Sequence, residues 1–272
     1  MDSVLEISDS CVGCGQCARV CIRRHLIVGD DKKARETESE YSCFRCGHCI
    51  SVCPKGAIAF RGGSGKQAMI SGSPVSPEDL AELFRERRSR RWFDRNCTRE
   101  ELEALFSAVR YSPTAENSQA IQFAVVDGRF SEFMVLLADI LRPRAGEHPR
   151  IRQFADYVDR GQKEKNNPFT WEGRQIIIIF SRLPADALIC AGQLDLMACS
   201  MGLGGFHSRW MLLAAETDPD RFMSFFPGVG KDLKANAVFV TGHPSVKFRT
   251  TVPRKEKEVF WMRRRILRIK PC

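Results

Sequence analysis

The chain has 272 residues, enough for two domains, and its 42 Lys and Arg residues against 33 Asp and Glu residues give a formal charge of +9. A basic balance of this kind suits an anionic cofactor, an acidic redox partner or a nucleic acid. No apolar run approaches the roughly 20 residues of a membrane span, and residues 1–6 lack both the basic and the apolar part of a secretory signal. We therefore expect no contact with a membrane.

Eight of the twelve cysteines form two runs of identical spacing, and each cysteine lies 32 residues from its counterpart. This Cys-x2-Cys-x2-Cys-x3-Cys spacing is typical of bacterial ferredoxins with two [4Fe–4S] clusters, in which the fourth ligand of each cluster comes from the other run. Zinc also binds paired Cys-x2-Cys motifs, but two zinc sites would not need this duplicated spacing. The predicted ligand sets are Cys11, Cys14, Cys17 and Cys53 for one cluster, and Cys43, Cys46, Cys49 and Cys21 for the other.

The cysteine runs predict a small ferredoxin-like domain over residues 1–61 and a reducing compartment, hence a cytoplasmic protein. Four further cysteines are isolated in the sequence. Two of them lie in an apolar helical pattern and are expected to be inert core residues. These four residues are Cys97 and Cys272, with Cys190 and Cys199 in the apolar pattern.

Residues 62–76 are rich in Gly and Ser and predict a linker. Beyond it, Ser76 and Pro77 begin a predicted helix, and a capping box from Thr98 to Glu101 begins another. Three runs of β-branched and aromatic residues predict strands, and a long apolar helix precedes Gly202. Since these elements show no βαβ rhythm, residues 77–272 predict a mixed α+β domain. The predicted strands are Gln122–Val126, Gln175–Phe180 and Ala237–Thr241, and the long helix is Ala185–Met201.

Positive charge is concentrated in two places. The segment from Phe84 to Arg95 holds six arginines. An arginine can bind a phosphate bidentately, but such a run also fits a solvated helix face or a nucleic-acid surface. The second concentration follows Met262 and consists of Arg263, Arg264, Arg265, Arg268 and Lys270.

Four segments, taken in order, resemble the nitroreductase family of FMN flavoproteins. Arg87–Phe93 resembles its opening Arg-Arg-Ser motif, and Ser112–Gln119 resembles the segment that lies against the flavin. Gly202–Phe206 resembles its Gly-Leu-Gly turn, and Phe248–Lys255 resembles its C-terminal Pro-Arg-Lys. The resemblance covers residues 77 to 260 and implies the fold of that family, with FMN at a dimer interface.

The resemblance assigns residues to the parts of FMN. The phosphate, ribityl chain and pyrimidine edge would be held by Arg87, Arg88, Ser89, Arg91, Arg254 and Lys255. The ring and ribityl hydroxyls would be held by Pro113, Thr114, Asn117 and Gln119. The loop facing the reactive edge of the flavin would contain Gly204, Ser208 and Arg209.

No catalytic residue is established by these motifs. His207 and Arg209 are candidates, although a lone histidine after a turn is more often structural. His207–Trp210 and Ala120–Ile121 depart from the family pattern beside the flavin. Phe169 and Trp171 form either an aromatic lid over the flavin or ordinary core.

Clusters carry single electrons, whereas a flavin accepts electrons singly and passes on a pair. The two parts together predict an FMN-dependent oxidoreductase that reduces a nitroaromatic, quinone-like or related small acceptor. Its donor would be a redox protein or NAD(P)H. As in the family, we expect a homodimer whose C-terminal segment, beyond Pro253, reaches the partner subunit.

Two other functions are compatible with parts of the sequence. An electron-transfer or sensing flavoprotein would dock an acidic redox partner and have no small substrate of its own. A nucleic-acid-binding protein is disfavoured, because phosphate binding accounts for the arginines near Ser89 and no base-reading motif accompanies them.

Overall fold

The computed structural model describes residues 3–37, 42–63, 70, 72 and 74–262. Its first domain contains two copies of a β-α-β unit. The helix and the last strand of the second copy each begin 32 residues after their counterparts in the first copy. β1 pairs with β4 and β2 pairs with β3, both antiparallel. The elements are β1 (Leu5–Ile7), α1 (Gln16–Val20), β2 (Leu26–Val28), β3 (Ala34–Glu36), α2 (His48–Ser51) and β4 (Ile58–Phe60).

Both short helices of this domain start at a glycine that directly follows the second cysteine of its run. Gly15 has φ 75° and Gly47 has φ 77°, in the left-handed region that favours glycine. The turn brings Cys17 and Cys49 into a small core with Leu26. The repeat predicted from the cysteine spacing is thus present in the backbone.

The second domain is an antiparallel sheet with helices on both faces. In its described part, the strand order is β5-β9-β7-β6, with β8 also paired to β9, and the pairings are antiparallel. Its elements are α3 (Pro77–Glu86), β5 (Phe93–Arg95), α4 (Arg99–Val109), β6 (Gln122–Val126), α5 (Phe130–Leu141), α6 (Pro149–Asp159), β7 (Gln175–Ser181), α7 (Pro184–Ser200), β8 (Gly204–His207), α8 (Arg209–Thr217), α9 (Pro219–Met223) and β9 (Lys234–Pro244).

Alternating side chains of β7 divide between two hydrophobic cores. Ile176 and Ile178 pack with α5, α6 and α8, whereas Ile177 and Ile179 pack with α4 and α7. Because both faces are covered, β7 is apolar along almost its whole length instead of alternating with polar residues.

The predicted elements are present with small shifts at their ends. The Ser76 hydroxyl accepts the Asp79 amide at the start of α3, and the capping box at Thr98 is formed. β9 is longer than predicted, because β7 pairs with it from Lys234, before the apolar run, and β8 and β5 pair with it as far as Pro244, after the run. The predicted α+β class is confirmed.

The limits of the two domains and of the linker stay predictions. Parts of the linker, 64–69, 71 and 73, lie outside the described residues, as do the basic cluster from Arg263 to Lys270 and Cys272. Among the described residues, no helix combines the length and the apolar character needed to cross a bilayer.

Glu101 connects the start of α4 to β9, and we expect Glu101→Ala to destabilise the second domain by about 1–2 kcal/mol through loss of the cap. The Thr98 amide donates to the Glu101 carboxylate at 2.7 Å, and His243 Nε2 lies 2.9 Å from the same oxygen of Glu101. Urea unfolding followed by tryptophan fluorescence measures the effect, since all four tryptophans lie beyond residue 76. Glu103→Ala, at an exposed ion pair with Arg99, is the matched control and should change stability by less than about 1 kcal/mol.

The same contact has a defined pH dependence. The hydrogen bond with His243 holds the pKa of Glu101 below its usual range. Stability from this carboxylate is therefore complete above the unfolded pKa of about 4.3 and is lost as the pH falls through the lower folded pKa. An unchanged difference between wild type and Glu101→Ala at pH 7 and in acid would contradict this assignment.

Candidate functional site

Two cavities in the first domain are each lined by four cysteines, three from one run and one from the other. The larger, of about 390 Å³, contains Cys43, Cys46, Cys49 and Cys21. The other, of about 320 Å³, contains Cys11, Cys14, Cys17 and Cys53. Thiols around a cavity suit a cube of iron and sulfur better than a single zinc ion, which draws its ligands to one point. These are the ligand sets predicted from the sequence.

Backbone amides point at several of these sulfurs. The His25 amide lies 3.2 Å from Cys21 Sγ, and the Ala57 amide lies 3.2 Å from Cys53 Sγ. In an assembled cluster, such N–H groups would donate to the sulfur ligands and tune the cluster's potential. They are placed to hold negative charge on the sulfurs.

The thiol pKa values also depend on the backbone and on burial. Amides of Ala34 and Gly13 lower the pKa of Cys11. Burial raises the pKa of Cys49 to about 11, and the neighbouring Cys43 and Cys46 add to the rise. Because iron binds the thiolate, cluster assembly must displace these protons.

In the second domain, the arginine-rich segment lies against β8. The Arg90 amide donates to the Gly205 carbonyl at 2.9 Å, and Ser89 forms a bridge with Gly205. A Cβ on Gly205 would lie 2.2 Å from the Val240 carbonyl oxygen, and one on Gly204 would lie 2.6 Å from Arg90 Cδ. Glycine at both positions therefore permits the close approach of these segments.

A buried carboxylate orients two of the predicted side chains. Asp195, on α7, is 5% exposed. Its Oδ2 accepts from Arg87 Nη1 at 3.2 Å and lies 3.6 Å from His207 Nε2. This carboxylate therefore joins the arginine segment to the end of β8.

Three buried polar atoms in this region have no hydrogen-bond partner within the described chain: Arg88 Nε, Arg91 Nε and Ser208 Oγ. The other ends of the two arginines are held, Arg88 Nη2 by the Thr250 carbonyl and Arg91 Nη1 by the Ser89 carbonyl. Buried polar atoms are normally satisfied. Each of these atoms can donate a hydrogen bond to an acceptor such as a phosphate oxygen or a hydroxyl.

Trp171 belongs to this region and Phe169 does not. Trp171 is half-buried, with the Arg91 guanidinium 4.7 Å from its ring and the Phe206 ring at 5.2 Å. Phe169 is fully buried and stacks on Phe154 at 3.8 Å. Phe169 is therefore core, and only Trp171 can serve as an aromatic wall.

The segment predicted to lie against the flavin forms a tight loop after α4. The Thr114 hydroxyl accepts the Gln119 amide at 3.0 Å, and buried Asp186 accepts the Ala115 amide at 3.0 Å. Pro113, Thr114 and Asn117 line an open cavity of about 990 Å³ that Cys46 also lines. The loop thus lies beside one of the cysteine-lined cavities.

The described chain does not bring all the predicted residues together. Arg209 Nη2 donates to Glu216 at 2.7 Å on an exposed side of α8. Arg254 and Lys255 are exposed in the segment 251–262, which has no regular secondary structure. Contact between these residues and the arginine segment stays a prediction.

Helix α7 separates the two halves of the predicted site. Asp186 and Asp195 are nine residues apart, which places them about 180° apart around the helix and about 13 Å apart along it. Leu188 and Ile189 are 59% and 45% exposed on the same helix. An apolar face of α7 is therefore left uncovered by the side chains of the described residues.

Sequence reasoning missed Asp186 and Asp195. Both are carboxylates in an otherwise apolar helix and both are buried. Since a charged residue is rarely buried unless it is paired, their placement in an apolar pattern was the available signal. Among the isolated cysteines, burial raises the pKa of Cys97, Cys190 and Cys199. They therefore remain protonated and poorly reactive.

Comparison with known families agrees with this geometry. Residues 84–239, more than half of the chain, match the model of the nitroreductase family. The chain belongs to the nitroreductase family. Residues 10–58 match a second model, described as a 4Fe-4S dicluster domain. The nitroreductase domain thus follows a two-cluster domain, as the sequence predicted.

Solved structures share the fold of the nitroreductase domain. A nitroreductase with bound FMN from Bacteroides fragilis is 17% identical, with a TM-score of 0.53, and the match covers 67% of this chain and 99% of that one. A nitroreductase with bound FMN from Desulfitobacterium hafniense is 19% identical, with a TM-score of 0.52 and coverage of 66% and 97%. A BluB-like flavoprotein from Clostridium difficile is 15% identical, with a TM-score of 0.50 and coverage of 65% and 94%. No curated protein matches the chain.

We expect Asp195→Ala to destabilise the nitroreductase domain by about 1–3 kcal/mol, because it leaves the partly buried Arg87 guanidinium without its acceptor. Urea unfolding followed by tryptophan fluorescence measures this loss. Asp232→Ala is the matched control, since Asp232 pairs with Arg182 at the exposed surface. The control should cost less than about 1 kcal/mol; equal effects of the two variants would remove Asp195 from its structural role.

Proposed function

We propose that this protein is an iron–sulfur flavoprotein oxidoreductase that passes electrons from two [4Fe–4S] clusters to FMN and on to a small acceptor. The family and the dicluster domain support the two halves of this function. The cofactor named in the two nitroreductase structures is FMN. The observation that carries the proposal is the set of unpartnered buried polar atoms on Arg88, Arg91 and Ser208.

The chain's own residues would divide the binding of FMN between them. Arg87, Arg88, Ser89 and Arg91, with Arg254 and Lys255, are proposed for the phosphate, the ribityl chain and the pyrimidine edge. Thr114, Asn117 and Gln119 are proposed for the ring. When bound, FMN supplies the conversion between one-electron and two-electron transfer. The guanidinium of Arg91, next to Trp171, would supply positive charge that stabilises the negative charge of a reduced flavin bound there.

A homodimer is part of the proposal. Leu188 and Ile189 form an exposed apolar face of α7. This face lies between Asp186, which holds the loop proposed for the flavin ring, and Asp195, which holds the arginine segment. A second copy of the chain on this face would adjoin both halves. The exposed Phe260 and Trp261, in the segment 251–262, give that segment apolar side chains with which to bind the partner.

The acceptor is proposed to be a nitroaromatic, a quinone-like compound or a related small molecule, and the donor to be a redox protein or NAD(P)H. His207, held 3.6 Å from Asp195 and partly exposed, stays a candidate proton donor. A reducing cytoplasm suits thiolate-bound clusters.

Composition and turnover test the proposal together. Anaerobic purification should yield about eight irons and one FMN per chain, and a panel of nitroaromatic and quinone acceptors should reoxidise the reduced flavin. Zinc in place of iron, or the absence of flavin, would refute it. A flavin that is reduced but reoxidised by no small acceptor would favour a relay that docks an acidic redox protein.

Arg88→Ala should weaken FMN binding by about 10- to 100-fold, the loss expected for charge-assisted hydrogen bonds of about 1.5–3 kcal/mol. Titration of the FMN-depleted protein with FMN, followed by flavin fluorescence, measures the affinity. Arg85→Ala is the control, because the exposed Arg85 side chain pairs with exposed Glu82 at 2.9 Å. Equal FMN affinity of the two variants would exclude Arg88 from the phosphate site.

A further inference from the structure

The two cysteine-lined cavities differ in their relation to the nitroreductase domain. The open cavity of about 990 Å³ lies between the domains, with Phe44, Cys46 and His48 on one side and Pro113 and Thr114 on the other. Cys46 also lines the cavity of Cys21, Cys43 and Cys49. Among the described residues that line the space between the domains, no cysteine of the other set occurs. One cysteine set therefore adjoins the loop proposed for the flavin ring.

Two polar contacts join the domains at this point. Arg23 Nη2 lies 2.6 Å from Glu116 Oε1, and Asn117 Nδ2 donates to the Arg45 carbonyl at 3.0 Å. Arg23 follows Cys21 by two residues, and Arg45 immediately precedes Cys46. Both contacts consequently hold chain segments that carry cysteines of the same set.

The backbone on the nitroreductase side is strained at this contact. Glu116, Asn117 and Gln119 have φ of 51°, 52° and 50°, in the left-handed region that residues other than glycine rarely adopt. Arg45, on the other side, has φ 54°. Such conformations persist where surrounding contacts determine them, and they concentrate at functional sites. The domain contact is one of the interactions available to hold this loop.

We propose that the cluster of Cys21, Cys43, Cys46 and Cys49 is the one that delivers electrons to the flavin, and that Arg23, Glu116 and Asn117 are positioning residues that hold it against the flavin loop. This inference rests on the proposed function. The other cluster, with exposed Cys14, takes up electrons from a low-potential one-electron donor. Each transfer oxidises the delivering cluster by one electron, and two transfers with protons from solvent reduce the flavin fully.

The contact between the domains matters because electron tunnelling slows steeply as the gap between the cluster and the flavin widens. Loss of the Arg23–Glu116 pair would allow the first domain to separate from the loop. Glu116 is proposed neither as a flavin ligand nor as a cluster ligand, and reoxidation of the chemically reduced flavin by the acceptor shows whether the variant has also altered the flavin site. The domain contact and the acceptor reaction can therefore be tested independently.

The test uses Glu116→Arg in the full-length holoprotein, which places like charges at positions 23 and 116. We expect hydrogen exchange of amides in 21–25 and 112–119 to accelerate by about fivefold, the scale of one exposed ion pair. Flavin reduction after anaerobic mixing with dithionite-reduced methyl viologen should slow to a similar extent. The milder Glu116→Gln should change both quantities in the same direction by less.

The double variant Arg23→Glu with Glu116→Arg restores opposite charges and should restore both quantities. Glu132→Arg is the matched control, because Glu132 is similarly exposed and pairs with Arg129 at 2.7 Å away from the domain contact. The control should match wild type in both measurements.

Normal hydrogen exchange and normal flavin reduction in Glu116→Arg would overturn the inference, as would a double variant no better than the single one. Either result would leave the proposed function standing if wild type contains iron and FMN and turns over. Absence of iron or FMN from wild type would instead refute the proposed function.

Discussion

Strand β9 is the element on which the geometry of the nitroreductase domain depends, because β5, β7 and β8 all hydrogen-bond to it in the described chain. Pairing with β8 brings Gly205 so close to Val240 that a side chain at position 205 would meet its carbonyl. Gly205 also forms a β-bridge with Ser89. Backbone pairing between β8 and β9 and the bridge to Ser89 therefore position the arginine segment independently of the contacts of its arginine side chains.

Helix α7 also constrains the geometry of the proposed site, through the two buried carboxylates of Asp186 and Asp195. A buried carboxylate is unfavourable unless hydrogen bonds compensate for lost hydration. Asp186 recovers that cost by accepting the Ala115 amide, and Asp195 does so by pairing with Arg87. The two carboxylates consequently hold two segments in place: the loop that contains Ala115 and the arginine segment that contains Arg87. Between them, the apolar face with Leu188 and Ile189 is exposed among the described residues, and it is the face on which we propose that a second copy of the chain binds.

The first domain depends on metal more than the second does. A domain of about 60 residues buries too little surface to be very stable. Its core cluster includes Cys17 and Cys49 among the buried residues. Metal ligation would thus supply both the electron carriers and much of the folding free energy. Coupling this domain to the nitroreductase domain at Glu116 and Asn117 would place a one-electron carrier next to a group that can store a pair.

The sequence alone determined what depends on local spacing. The cysteine runs predicted which four cysteines line each cavity, because a cube needs thiolates at fixed intervals from two loops. Capping signals at Ser76 and Thr98 and the apolar run of β7 determined the positions of their elements within a few residues. Only the tertiary structure decided that Phe169 is core, that Asp195 orients Arg87, and that Cys46 rather than Cys14 lies next to the loop that contains Pro113 and Thr114. Those facts depend on contacts between residues far apart in the chain, whose distances no local pattern encodes.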